Sequence, residues 1–209
     1  MRFAYSHSGF AALGLSGNPF VAEPEPGVVA GLWLDRPGVP PPPPPGSKHL
    51  VQIIGPKGAG KTSHLLRWRE SAPGPYYYVP PRGLGRLRLP PVAPRVYWDE
   101  LDRLGAPALA LAYAAARGAT VIAATHTDLS RLARACGLRV TTFEFPGLAP
   151  AVLQEWARLR IAAVTLPGRT PGLALDEPTA RDICDRVGAS LRDAAVMLHV
   201  WAAERAADV

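Results

Sequence analysis

Gly55-Pro56-Lys57-Gly58-Ala59-Gly60-Lys61-Thr62 satisfies the pattern GxxxxGK[ST] in full. Glycines at 55, 58 and 60 let backbone amides wrap around phosphate oxygens, and a helix beginning near Lys61 aims its positive end at the same anion. Lys61 then reaches the β- and γ-phosphates, and the Thr62 hydroxyl ligates Mg²⁺. A glycine-rich turn that only joins a strand to a helix has no need of the Lys-Thr pair. The eight residues therefore read as a binding loop for ATP with Mg²⁺.

A second acidic element follows in Val96-Tyr97-Trp98-Asp99-Glu100. An acidic pair at the end of a buried strand suits a Walker B site, with Asp99 holding Mg²⁺ and Glu100 polarising the attacking water. The other reading is that Asp99 and Glu100, with Asp102, cap the helix that follows. The short stretch between the two motifs leaves no room for a large substrate-binding subdomain.

These residues need a scaffold of alternating strands and helices, and the sequence supplies one. His49-Leu50-Val51-Gln52-Ile53-Ile54 is an apolar, β-branched run ending at Gly55, as in a strand buried on both faces of a parallel sheet. Helix follows over 62–70, then strands over 76–79, 95–98, 120–125 and 140–145, with helices over 106–117 and 129–135 between them. The alternation predicts an α/β fold: a P-loop NTPase core with a five-stranded, mainly parallel sheet flanked by helices, binding ligands at the carboxyl ends of its strands. After Pro146-Gly147 the pattern turns to helices alone, over 150–164, 177–187 and 190–206, as a small C-terminal helical lid. Residues 1–39 read as mostly loop, and the six prolines at 40–45 as a polyproline II spacer of roughly 19 Å. The expected division is an N-terminal strap and polyproline segment over 1–46, an ATPase core over 47–147 and the lid over 148–209.

Composition narrows the class. Apolar residues make up 48% of the 209, yet no run is long enough to span a membrane. The amino-terminal stretch has no charged region leading into a sustained apolar one, so a cytoplasmic location is expected. Cys136 and Cys184 show neither CxxC nor Cys/His spacing and read as buried thiols. The net charge of +6 is carried almost wholly by arginine, with Lys48, Lys57 and Lys61 the lysines. That balance is compatible with nucleic acid and is also what a GC-rich genome produces.

The order of the two motifs, an Ala-Thr strand end and a helical segment with Gly188-Ala189-Ser190-Leu191-Arg192-Asp193-Ala194 resembles the AAA+ ATPases, the last stretch being similar to the sensor 2 region of bacterial clamp-loader subunits. The resemblance implies that Arg192 contacts the γ-phosphate; a solvated helix residue is the alternative. Ala123-Ala124-Thr125-His126 lines up with the sensor 1 strand, which puts His126 where that family usually has asparagine. Thr125 or His126 would orient the lytic water, while Thr127 or Asp128 equally suits a helix cap. Gly17-Asn18-Pro19-Phe20 resembles the lead-in of secretion- and transposition-associated AAA+ proteins, which implies that Asn18, Pro19 and Phe20 lie near the adenine; an ordinary turn with a buried aromatic is the other reading. Among Arg131, Arg134 and Arg139, the last is the candidate finger for a neighbouring copy's site in a homo-oligomer, against a surface salt-bridge role.

The function expected is a Mg-dependent ATPase whose nucleotide state switches contact with a macromolecular partner, a protein first and DNA second. Arg82, Arg86 and Arg88 form a basic loop suited to DNA phosphates or simply solvated. A small P-loop kinase and a non-hydrolysing nucleotide-dependent scaffold are the alternatives.

Overall fold

The computed structural model describes residues 7–20, 39–83, 88–145 and 147–209. These fall into two compact units, one within Gly38–Pro146 and the other within Met1–Pro37 together with Gly147–Val209. No described helix is long and apolar enough to cross a membrane.

The first unit is α/β. Its strands β1 (His49–Ile54), β2 (Tyr76–Tyr78), β3 (Arg95–Asp99), β4 (Thr120–Thr125) and β5 (Arg139–Glu144) form one sheet in the order β2-β3-β4-β1-β5. Every pairing is parallel. Parallel neighbours require crossovers, and right-handed crossovers running in opposite directions along the sheet put their helices on opposite faces. The chain obeys this rule. Helix α2 (Lys61–Ser71) covers one face with Leu65 and Trp68, packed on Val51, Ile53, Tyr97 and Ile122. Helices α3 (Ala106–Ala115) and α4 (Ser130–Ala135) cover the other, where Leu109, Tyr113 and Ala133 meet Leu50, Trp98 and Val121.

Residue choice follows position in the sheet. Central β4 is buried along its whole length and uses β-branched residues and small alanines, whereas β5 at the edge is part-exposed. One polar residue interrupts β1 in the core. The amide of Gln52, fully buried, lies within donating distance of Asp128 Oδ1 (2.6 Å), Ser130 Oγ (2.8 Å) and Thr142 Oγ1 (2.8 Å), and its oxygen accepts from the Leu129 amide at 3.1 Å. This cluster ties the middle of β1 to the start of α4.

The six prolines form no helix or strand, and two of them are bonded at the amino ends of β3 and β4. Proline offers a carbonyl but no N–H, so the tract acts only as an acceptor. Arg95 Nη2 donates to the Pro43 carbonyl at 2.7 Å and Thr120 Oγ1 to that of Pro44 at 2.6 Å.

The second unit is helical: α5 (Pro150–Ala163), α6 (Glu177–Val187), α7 (Leu191–Ala207) and, from the far end of the chain, α1 (His7–Ala12). Asp176 and Ser190 cap α6 and α7, each accepting a backbone amide three residues on. The amino-terminal stretch divides differently in space from a strap over 1–46. Residues 7–20 join this unit, and 39–46 belong with the sheet. Helix α1, in a stretch expected to be loop, packs Gly9 so closely on α7 that a β-carbon there would stand 1.8 Å from the Ala206 carbonyl oxygen. Phe10, Leu15 and Phe20 all enter the core formed by Leu153, Ile183 and Leu198.

Candidate functional site

The carboxyl rim of the sheet gathers the chemistry. Ile54 pairs with Thr125 and Tyr78 with Asp99, so Gly55, Glu100 and His126 each leave their strands at this rim. Strand order reverses here: the chain after β1 crosses toward β2, and the chain after β4 crosses toward β5 on the opposite face. Such a switch point is where open α/β sheets bind ligands.

The loop from Gly55 to Gly60 turns with Gly58 at φ 83° and Gly60 at φ 88°, in the left-handed region that favours glycine. Gly60 opens α2 without any side chain capping the helix. The first amides of a helix have no partner within it, so this end presents donors and positive potential. Pro56 and Lys57 are exposed, and Ala59 is buried against the sheet.

Lys61 is 5% exposed, and its ammonium turns back into the loop. It donates to the carbonyls of Gly55 (2.7 Å) and Pro56 (2.9 Å) and lies 3.4 Å from His126 Nδ1. Burial lowers its pKa, an effect opposed by the charges of Glu100, Asp99 and Asp102.

Opposite stands Asp99, 1% exposed. Its Oδ2 accepts from Thr62 Oγ1 at 2.8 Å and from the Tyr76 hydroxyl at 2.8 Å, and its Oδ1 from the Glu100 amide at 3.0 Å. The glycine-rich loop and the acidic pair, distant in sequence, thus meet through Thr62 and Asp99. A hydroxyl held on a carboxylate is a pair of oxygen donors of the kind that a hard cation such as Mg²⁺ takes. Among the described residues, no three His, Cys, Asp or Glu gather into a self-sufficient metal cage.

Glu100 adopts φ 58°, a conformation costly for a residue with a side chain. Its Oε2 lies 2.8 Å from Arg103 Nη2 and 3.2 Å from His126 Nε2, both at ion-pair distance without hydrogen-bond alignment. Arg103 is anchored in turn by Tyr78, whose hydroxyl accepts at 2.8 Å, and by the Val79 carbonyl at 2.9 Å. His126 therefore stands between Lys61 and Glu100, touching both.

The other sequence candidates are distributed more widely. Thr125 is buried and turned into its own loop, donating to the Thr127 carbonyl at 2.9 Å. Asp128 accepts from the Ser130 amide and hydroxyl at the start of α4. Arg139 opens β5 opposite His49, at the amino end of the sheet away from Lys61, and donates to the Ser47 carbonyl at 2.8 Å. In the helical unit, Asn18 is committed locally. Its Nδ2 donates to the His199 carbonyl at 2.9 Å, and its Oδ1 accepts the Phe20 amide at 2.9 Å. Phe20 is core, its ring 5.8 Å from that of Trp156 and 6.4 Å from that of Trp201, and Pro19 is buried beside it. Arg192 is exposed in the first turn of α7. Arg82 and Arg88 are exposed, and Arg86 lies outside the described residues. Both cysteines are free thiols, Cys184 buried and Cys136 half-buried.

Two site residues escaped the sequence reading. Arg103 had a signal, its i,i+3 spacing from Glu100. Tyr76 had none, since only the pairing of β2 with β3 brings it to Asp99. Comparison of the chain with protein-family models and with curated proteins finds no match to either.

Proposed function

We propose that this chain binds ATP with Mg²⁺ at the rim between β1 and β3 and hydrolyses it, as an AAA+-type switch whose nucleotide state governs contact with a macromolecular partner. The observation that carries the reading is the 2.8 Å bond from Thr62 to Asp99, which joins the end of a complete phosphate-loop motif to a buried acid. Beside it, Lys61 has carbonyl partners that a phosphate can replace, and α2 starts uncapped. Thr62 and Asp99 would hold Mg²⁺, which supplies neutralisation of phosphate charge. Lys61 would move its ammonium from the Gly55 and Pro56 carbonyls to the anion. Glu100 would accept a proton from water with the oxygen not held by Arg103 and His126, or after leaving them. The AAA+ assignment, with Arg192 on the γ-phosphate, Arg139 on a neighbouring copy, Asn18-Pro19-Phe20 near the base and a protein partner, is carried by sequence resemblance, and DNA as a partner by the basic sequence around Arg82, Arg86 and Arg88.

ATP turnover and nucleotide affinity, measured for the wild type, Lys61→Ala and Glu100→Gln with and without DNA, test the proposal. Glu100→Gln should lose about 10²–10⁴-fold in turnover while still binding nucleotide. An unchanged rate removes Glu100 from the reaction. A phosphorylated small-molecule product would make the protein a kinase, and tight binding without turnover a scaffold.

A further inference from the structure

We infer that Tyr76 is a positioning residue for Asp99, holding its carboxylate in the orientation that takes up the divalent cation. The inference rests on the Mg-nucleotide reading above and adds to it a residue that the motifs do not contain.

A carboxylate buried as deeply as Asp99 needs donors on both oxygens. It has three: the Glu100 amide on Oδ1, and the hydroxyls of Thr62 and Tyr76 on Oδ2. They are not equivalent. The Glu100 amide is adjacent backbone and follows Asp99 wherever it goes. Thr62 belongs to the glycine-rich loop, and on the reading above its hydroxyl would also ligate the cation. Tyr76 alone comes from a separate strand. Its backbone pairs with Tyr97, two residues short of the rim, and its phenol runs along the α2 side of the sheet to the carboxylate. A phenol keeps its proton at neutral pH and so serves Asp99 as a donor, here at 2.8 Å. Asp99 Oδ2, which accepts from Thr62, thus has a second partner that does not belong to the glycine-rich loop.

Groups that orient a metal ligand in this way contribute about 10–100-fold to metal affinity, and that is the expected size of the effect. Tyr76→Phe removes one oxygen and keeps the ring, and Thr62 and Glu100 still serve Asp99, so the variant should fold. The measurement is the affinity for a fluorescent ATP analogue, first in EDTA and then across a Mg²⁺ titration, with circular dichroism verifying the fold. Tyr76→Phe should bind as the wild type does in EDTA, but require about 10–100-fold more Mg²⁺ for the half-maximal change. Asp99→Asn should abolish the Mg²⁺ response, and adding Tyr76→Phe to it should change nothing further. A wild-type Mg²⁺ half-point in folded Tyr76→Phe overturns the inference and leaves nucleotide binding standing. A purely structural role would lower the melting temperature and leave that half-point in place, which also overturns it. A wild-type protein that binds no nucleotide, or binds it without regard to Mg²⁺, refutes the parent reading and the inference with it.

Discussion

Replacing Lys61 with methionine separates a ligand-binding lysine from a structural one. The ammonium is nearly inaccessible, donates to two carbonyls of its own loop and has a lowered pKa. Removing it loses two charge-assisted hydrogen bonds, about 3–6 kcal/mol at 1.5–3 each. It also removes an ion whose burial costs several kcal/mol, and fills the place with an apolar chain of similar length. The two contributions nearly cancel, so the nucleotide-free protein should change by about 1 kcal/mol or less. Nucleotide binding should respond differently. A lost charge-assisted contact to phosphate of about 2.7 kcal/mol weakens affinity on the order of 100-fold. At a ligand concentration 100 times the wild-type Kd, ATP adds about 2.7 kcal/mol to wild-type stability but only about 0.4 to the variant. For a unit of about 100 residues this is a rise of roughly 10–20 °C in Tm against about 2–3 °C. Thermal unfolding with and without Mg-ATP reads both quantities. An equal rise in the two proteins refutes the ligand role, and a loss above about 3 kcal/mol without nucleotide makes Lys61 a strut of the loop.

Further outcomes follow from the same geometry. Because the folded state lowers the Lys61 pKa, the unfolded chain binds more protons between that value and 10.5. Stability without nucleotide should therefore rise with pH through that alkaline window, and Lys61→Met should lack that increment when denaturant midpoints are compared across pH. Gln52→Leu leaves the Leu129 amide and the Asp128 cluster without their buried partner, and should cost about 2–4 kcal/mol by urea unfolding; a loss under 1 would show the network to be dispensable. Phe20→Ala should destabilise the helical unit by about 3–5 kcal/mol, read from the fluorescence of Trp156 and Trp201, and a near-neutral result would remove Phe20 from that core.

What could be read from the sequence was whatever is encoded locally. Strand β1 declares itself by five apolar or amide residues closed by glycine, and α5 by proline at its first turn and a helical period behind it. The Thr62–Asp99 meeting was legible because the two motifs each end a strand of one parallel sheet, and parallel strands deliver their carboxyl ends to one rim. Helix α1 was illegible because six residues cannot hold a helix by propensity; its contact with α7, nearly the whole chain away, holds it. The proline tract was read for stiffness, yet its place is set by donors on Arg95 and Thr120 that no local pattern links to it. Tyr76 belongs to the same class, a residue given its role by the pairing of β2 with β3.

The helical unit is built from segments that precede and follow residues 38–146 in sequence, and this sets the order of synthesis. Strands and helices within residues 38–146 can close on themselves as soon as they have been made. Phe10, Leu15 and Phe20 cannot, because Trp156, Leu198 and Ala206 against which they pack are made far later. Three large apolar side chains must wait beside a nascent chain through the making of an entire α/β sheet. During that interval they lack the core they pack in, and α7 is the element whose arrival completes it.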